Sequence, residues 1–329
     1  MRPHLTARED TLNPEFTRKL IIGLVLGVVV LVGLGIYADL QQLSESLQQF
    51  QWWLLVPVLG LTLLNYLLRF FKWHYYLKRL GAQVSIKNSG IVFLSGLSMA
   101  VTPGKFGELL KALLLKERCG TPAAETASVV VAERFTDFLA LVFLAAGGVV
   151  ASQHGSAVLT VSVIGCILFL LVLSSERASM ALIDGMAGLP RIGALAPRFK
   201  EAYQAIASLL RPAPLIGTTL LSIAAWFCEC VGFYLVLSGL PDTTPNLGSA
   251  TFIYAFATIF GAVTMLPGGL AATEGSLIGL SHQVFGLTAT KALATAGALI
   301  IRFCTLWFAV VVGLVTLALS KGSSHENAG

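Results

Sequence analysis

This 329-residue chain is predicted to be an all-α polytopic membrane protein: two inverted repeats, about six spanning helices and two re-entrant helical hairpins. Three observations carry the prediction. Only 12% of the residues are charged and 56% are hydrophobic, with a mean hydropathy of +0.80. A soluble domain carries about 25% charged residues, so too little polar surface exists here to cover a water-soluble globule. The same shortage excludes a disordered chain and a nucleic-acid binder, both of which need charge density. Second, the apolar residues gather into runs of the length that spans a hydrocarbon core of about 30 Å, which takes about 20 helical residues. Third, one set of landmarks recurs in the same order in the two halves.

The first run, residues 20–38, follows a polar segment, 1–19, that carries Arg2, Arg8, Arg18 and Lys19. It is longer than the apolar region of a signal peptide and has no small-residue cleavage site, so it reads as a retained helix. Residues 52–71 form the second span, ending in Arg69-Phe70-Phe71-Lys72-Trp73-His74-Tyr75-Tyr76. That mixture of basic and aromatic residues is expected at the membrane interface. The apolar region 89–115 is broken at Thr102-Pro103-Gly104-Lys105, where proline lacks the amide donor and glycine the side chain. Neither half is long enough to cross alone. Residues 123–150 make a long helix interrupted by Glu133-Arg134-Phe135-Thr136-Asp137, and 157–173 form the next span. The polar stretch 174–212 follows, its second half carrying apolar residues at helical spacing suited to the interface. Residues 215–240 span again, 251–280 are split by Pro267-Gly268-Gly269, and 291–319 form the last helix, with Arg302 inside it.

Pro103-Gly104, Glu108 and Arg134-Phe135 in the first half correspond to Pro267-Gly268, Glu274 and Arg302-Phe303 in the second. Upstream, Tyr76-Leu77 with Gly81 matches Tyr234-Leu235 with Gly239, and the offsets drift only from 158 to 168 residues. Ordered landmarks of this kind indicate an internal repeat, with repeat one at about 52–173, a linker at 174–212, repeat two at about 213–320 and a tail at 321–329. If each broken segment enters and leaves on one side, an odd number of helices separates equivalent points, so the second repeat is inverted. Charge agrees: the stretches 69–87, 116–118 and 174–212 are basic, whereas 39–50, 151–156 and 241–249 contain no Lys or Arg. Positive residues collect on the cytoplasmic side, which sets both termini inside. The net charge of +5 needs no acidic partner beyond this rule.

Broken helices in inverted repeats place a binding site near the bilayer midplane, and ionisable residues within spans mark function by default. Glu133, Arg134 and Asp137 share one helix face within about 100° of arc. They read either as a buried ion-pair network or as contacts to a substrate or ion. Lys105 and Glu108 sit just past the first break, where freed amides and Lys105 form an anion site or merely a turn. Pro267, Gly268, Gly269 and Glu274 stand in the same relation to the second break. Glu229 reads either as a group that only satisfies a neighbouring helix or as a further functional carboxylate. Arg134 and Arg302 each lie about 11 residues into their helices, roughly 16 Å at 1.5 Å per residue, so both are expected to reach one central cavity at the midplane. The five cysteines and five histidines show no metal-binding spacing, and no metal or cofactor is expected.

The string Ser98-Met99-Ala100-Val101-Thr102-Pro103-Gly104-Lys105-Phe106-Gly107-Glu108-Leu109-Leu110-Lys111, followed by Glu133-Arg134-Phe135-Thr136-Asp137 and by Leu266-Pro267-Gly268-Gly269 with Glu274, resembles the lysylphosphatidylglycerol synthase transmembrane (flippase-like) family over residues 20–320. The resemblance implies a prokaryotic plasma (inner) membrane protein that moves or modifies lipids or lipid-linked sugars. Two-part synthases of that family append a large soluble aminoacyl-transfer domain. Here the chain stops about ten residues after the last helix, which speaks against aminoacyl-lipid synthesis and for a stand-alone membrane domain. The expected function is translocation of a phospholipid or lipid-linked intermediate with an anionic head group, not catalysis. The alternatives are a membrane enzyme or glycosyltransferase partner acting on a polyprenyl-phosphate lipid, and a non-transporting envelope scaffold. The expected partner is a membrane lipid or lipid-linked saccharide, with a second copy or an envelope biosynthesis enzyme as further candidates, and no nucleic acid.

Overall fold

The computed structural model describes residues 14–102, 106–152, 209 and 212–326. Residues 103–105, the predicted span 157–173 and nearly all of the polar stretch 174–212 lie outside the described residues. Within them the chain is all-helical, and the one strand-like contact is an isolated bridge between Thr243 and Thr288. Among the described residues, four helical stretches are long and apolar enough to cross a membrane: Arg18–Ala38, Trp52–Arg79, Pro212–Ser238 and Lys291–Ser320.

Helix α1 (Pro14–Ala38) presents most of its surface outward, as a lipid-facing helix does. Gly23 and Gly27, one turn apart, are its contact face: a Cβ at Gly23 would meet the Val101 carbonyl, and one at Gly27 the Trp307 ring. The segment after it is not a plain loop. Asp39 accepts from the amides of Gln41 and Gln42 and starts the short helix α2 (Leu40–Gln48).

Helix α3 (Leu55–Arg79) continues eight residues past the predicted end at 71. Arg69, Lys72, Trp73 and Tyr76 are buried, so one face of the basic and aromatic segment 69–76 belongs to the core, while Phe71 and Tyr75 on the other face stay exposed as the interfacial reading expects. Helices α4 (Ile86–Leu97) and α5 (Phe106–Cys119) flank the first break, with Ser85 capping α4 through the Asn88 amide. Helix α6 (Ala123–Ser152) completes this half.

The second half runs through α7 (Pro212–Ser238), α8 (Leu247–Val263), α9 (Ala272–Gly279) and α10 (Lys291–Arg302) to α11 (Phe308–Glu326). Between α8 and α9 the chain turns through Pro267–Gly269, with positive φ at Met265 (55°), Gly268 (58°), Gly269 (67°) and Ala271 (67°). Such values in non-glycine residues cost of order 1–3 kcal/mol each and gather at functional turns. The turn closes tightly because Gly261 on α8 lets Gly269 and Thr273 approach, where a Cβ would collide.

Helix α7 packs along α3, α6 along α8, and α11 along α4. One apolar core gathers α7, α8 and α10 with Val58 and Leu141; a second gathers the C-terminal half of α3 with α4, α5 and the start of α6, plus Ala309 and Leu317.

Candidate functional site

Four helices converge on a charged cluster in the first half. Lys72 on α3 is completely buried, and its ammonium donates to Asp137 Oδ1 at 2.5 Å, Ser222 Oγ at 2.7 Å, and Thr136 Oγ1 and the Glu133 carbonyl, both at 3.3 Å. An ammonium has three N–H groups, so this lysine is saturated. Lys111 on α5 reaches Glu133 Oε2 at 3.2 Å. Its stem lies over Gly96, where a Cβ would collide with it, and its charge sits 4.6 Å from the Trp73 ring centre and 4.9 Å from that of Phe93.

Arg69 is held more loosely. Its guanidinium is 3.7 Å from Glu133 and 4.0 Å from Asp137, beyond hydrogen-bond distance of either, and lies over Trp226 at 5.4 Å. Arg69 Nε, Glu133 Oε1 and Asp137 Oδ2 are all buried without a hydrogen-bond partner. Among the described residues, Glu133 and Asp137 thus have Arg69, Lys72 and Lys111 within 4.0 Å.

The second half holds a simpler arrangement. Arg302, the last residue of α10, donates through Nε to Glu274 Oε1 and through Nη2 to the Gly268 carbonyl, both at 2.5 Å. One arginine thereby ties α10 to α9 and to the turn. A π-helical turn, Phe303–Trp307, follows at once. It offers its Thr305 carbonyl to the Tyr66 hydroxyl at 2.8 Å, joining the second half to α3. π-Turns inside α-helices recur at functional sites.

Between these groups lies a cavity of about 260 Å³. Its wall includes Met99, Ala100 and Thr102 at the first break and Met265, Leu266, Gly268 and Gly269 at the second. The two breaks face each other closely: a Cβ on Gly268 would come within 3.4 Å of the Ala100 carbonyl. Among the described residues, the charged side chains of the wall are Arg69, Lys111, Arg134, Arg302 and Glu229. Arg69, Glu229 and Arg302 each sit roughly ten residues from one end of a spanning helix, about 15 Å at 1.5 Å per residue. That is half of a core of about 30 Å.

Of the residues singled out from sequence, Arg134, Gly268, Gly269 and Arg302 line this cavity, with Pro267 opening the turn beside it. Glu133, Asp137 and Glu274 stand behind the wall as partners of its cations. Pro103, Gly104 and Lys105, and the side chain of Glu108, lie outside the described residues. Sequence reasoning passed over Arg69, Lys72 and Lys111. The first two look like interfacial residues at the end of an apolar run, and Lys111 like a charge on a cytoplasmic helix end. A signal was present: Arg69, Lys72 and Tyr76 recur at spacings of three and four, the face of one helix.

An all-helical bundle with a basic cavity between two facing helix breaks defines an integral membrane protein with a polar interior site. The family described as the lysylphosphatidylglycerol synthase TM region matches residues 21–313, and the chain belongs to it. The chain is also similar to a UPF0104 membrane protein from Methanothermobacter thermautotrophicus, 23% identical over 330 residues that cover 92% of this chain and 93% of that relative.

Proposed function

We propose that this protein translocates a membrane lipid, or a lipid-linked intermediate, with an anionic head group through the cavity between its two halves. One observation carries the reading: among the described residues the cavity wall presents four basic side chains, Arg69, Lys111, Arg134 and Arg302, and one acidic side chain, Glu229. A bare anion is costly inside a bilayer, and guanidinium groups bind phosphate oxygens through paired hydrogen bonds. Met265 and Leu266 join the same wall and are exposed, an apolar edge along which acyl chains can stay in lipid while the head group enters.

The architecture proposed with it is two inverted repeats, six full crossings and two re-entrant hairpins in the plasma membrane, with both termini cytoplasmic. Several features support it. The helix order long, short, short, long occurs twice, and Arg134 and Arg302 occupy corresponding helices. Packing of α6 on α8 has its counterpart in α11 on α4.

Reconstitution of the purified chain in liposomes with head-group- or tail-labelled lipids tests the function. The wild type is expected to expose an anionic lipid from the inner leaflet, and Arg134→Lys or Arg302→Lys to slow it by about 10- to 100-fold, the equivalent of one lost charge-assisted hydrogen bond. Folded protein that moves no anionic lipid overturns the reading, and chemical conversion of the labelled lipid replaces it with an enzyme.

A further inference from the structure

Glu229 differs from every other buried carboxylate of the described site. Glu133, Asp137 and Glu274 each have a basic side chain within 4.0 Å. Glu229, 5% exposed, has none among the described residues; its Oε2 accepts a hydrogen bond from the Tyr254 hydroxyl at 2.7 Å. Among the described residues it is also the acidic member of a wall whose other charged side chains are basic.

The titratable and charged groups around it come from each helix packed against α7: Tyr66 and Arg69 from α3, Asp137 from α6, Tyr254 from α8, and Arg302 from α10. Cys228 and Cys230 flank it on its own helix. Both arginines are engaged elsewhere, Arg302 with Glu274 and Gly268, Arg69 with Trp226 and toward Glu133 and Asp137. Apart from the neutral Tyr254 hydroxyl, Glu229 thus has no close partner among the described residues, and the cavity that it lines is where a further charge can approach it. A sphere of the cavity's volume is about 8 Å across, close enough for two like charges inside it to oppose each other strongly.

Resting on the lipid-translocase reading, we propose that Glu229 is a proton-coupling site: a head group with one negative charge, such as a phosphodiester, enters the cavity together with one proton, which binds the Glu229 carboxylate. The proton comes from water at the cavity mouth and forms an O–H bond at a carboxylate oxygen. It returns to water when the head group leaves. No other covalent bond changes. With one anion matched by one proton, the total charge of the site is the same loaded and empty, so the loaded site crosses the membrane potential without an added charge.

Titration calorimetry on the full chain in detergent, with dihexanoyl phosphatidylglycerol as the probe, measures the proton count directly. Its phosphodiester does not titrate between pH 5 and 8, so heats in two buffers of different ionisation enthalpy report protons taken up by the protein. Where Glu229 is ionised in the empty protein, wild type is expected to take up about one proton per probe bound, and affinity to weaken by up to about tenfold per pH unit. Glu229→Gln keeps an acceptor for Tyr254 and is expected to bind with no proton uptake and no pH dependence. Probe binding to wild type without proton uptake across pH 5–8, or equal uptake by Glu229→Gln, overturns the proposal and leaves the translocase reading standing. Absence of probe binding to folded wild type removes the phosphodiester reading and this proposal with it. The wild-type count decides even where the variant does not fold.

Discussion

Lys72 and Arg69 lie three residues apart on one helix, yet their surroundings give them different work. Lys72 is enclosed and donates to Asp137, Ser222, Thr136 and a carbonyl; Arg69 faces the cavity and stands off from both carboxylates. Removing one partner of a buried ion pair strands the other, at about 3–5 kcal/mol. Lys72→Met is therefore expected to destabilise the protein by that amount in chemical unfolding from detergent micelles, and Asp137→Asn added to it to recover part of the loss. Arg69→Met gives up a looser contact, so its stability cost is expected to be smaller while lipid movement falls. The reverse order in the two unfolding curves would reassign the residues. Arg302 combines both roles, since one guanidinium fixes Glu274 and the Gly268 carbonyl and also lines the cavity.

Elements meet here through glycines. Gly148 on α6 lies against the backbone of α8, where a Cβ would be 2.6 Å from the Phe252 nitrogen and 2.7 Å from the Gly248 carbonyl oxygen. Its neighbour Gly147 points into open space. Backbone cannot yield as a flexible side chain does, so Gly148→Ala must part the two helices, an overpacking cost of about 1–3 kcal/mol. Gly147→Ala adds helix propensity without a clash, a gain of roughly 0.5–1 kcal/mol. Opposite shifts in thermal unfolding temperature are the expected outcome for these adjacent substitutions, and shifts of the same sign would refute the close α6–α8 contact. Close approach of small residues is how helices associate where lipid removes the hydrophobic drive.

Across the whole molecule, orientation in the membrane is a matter of charge. With Arg69 and Lys72 buried, the basic end of α3 still carries Lys78 and Arg79, followed by Lys87, while 241–249 carries neither Lys nor Arg. The turn after α3 is thus expected on the cytoplasmic side and the α7–α8 turn on the opposite side. Single cysteines at the exposed positions Gln83 and Thr244, in a chain whose native cysteines are replaced, test this with an impermeant thiol reagent on intact cells. Labelling is expected at Thr244→Cys alone; labelling at Gln83→Cys inverts the assignment.

Length and apolarity of each run are properties of consecutive residues, and so the sequence by itself determined the helical membrane class, the long helices that the described residues contain and the interruption near Pro267-Gly268. An adjacent proline and glycine disfavour continuation of a helix, and the charged residues within α6 stood out because a bilayer makes them costly. Which charges form the site was decided by the tertiary structure. Lys72 and Ser222 are 150 residues apart, and Tyr66 and Thr305 are 239 apart; only packing of α3 on α7 and beside the π-turn joins them. A basic residue near a helix end has the same local signature whether it meets water or a buried carboxylate. Arg69, Lys72 and Lys111 acquired their roles from helices that the sequence places far away, because an ion pair depends on distance in space and not on separation along the chain.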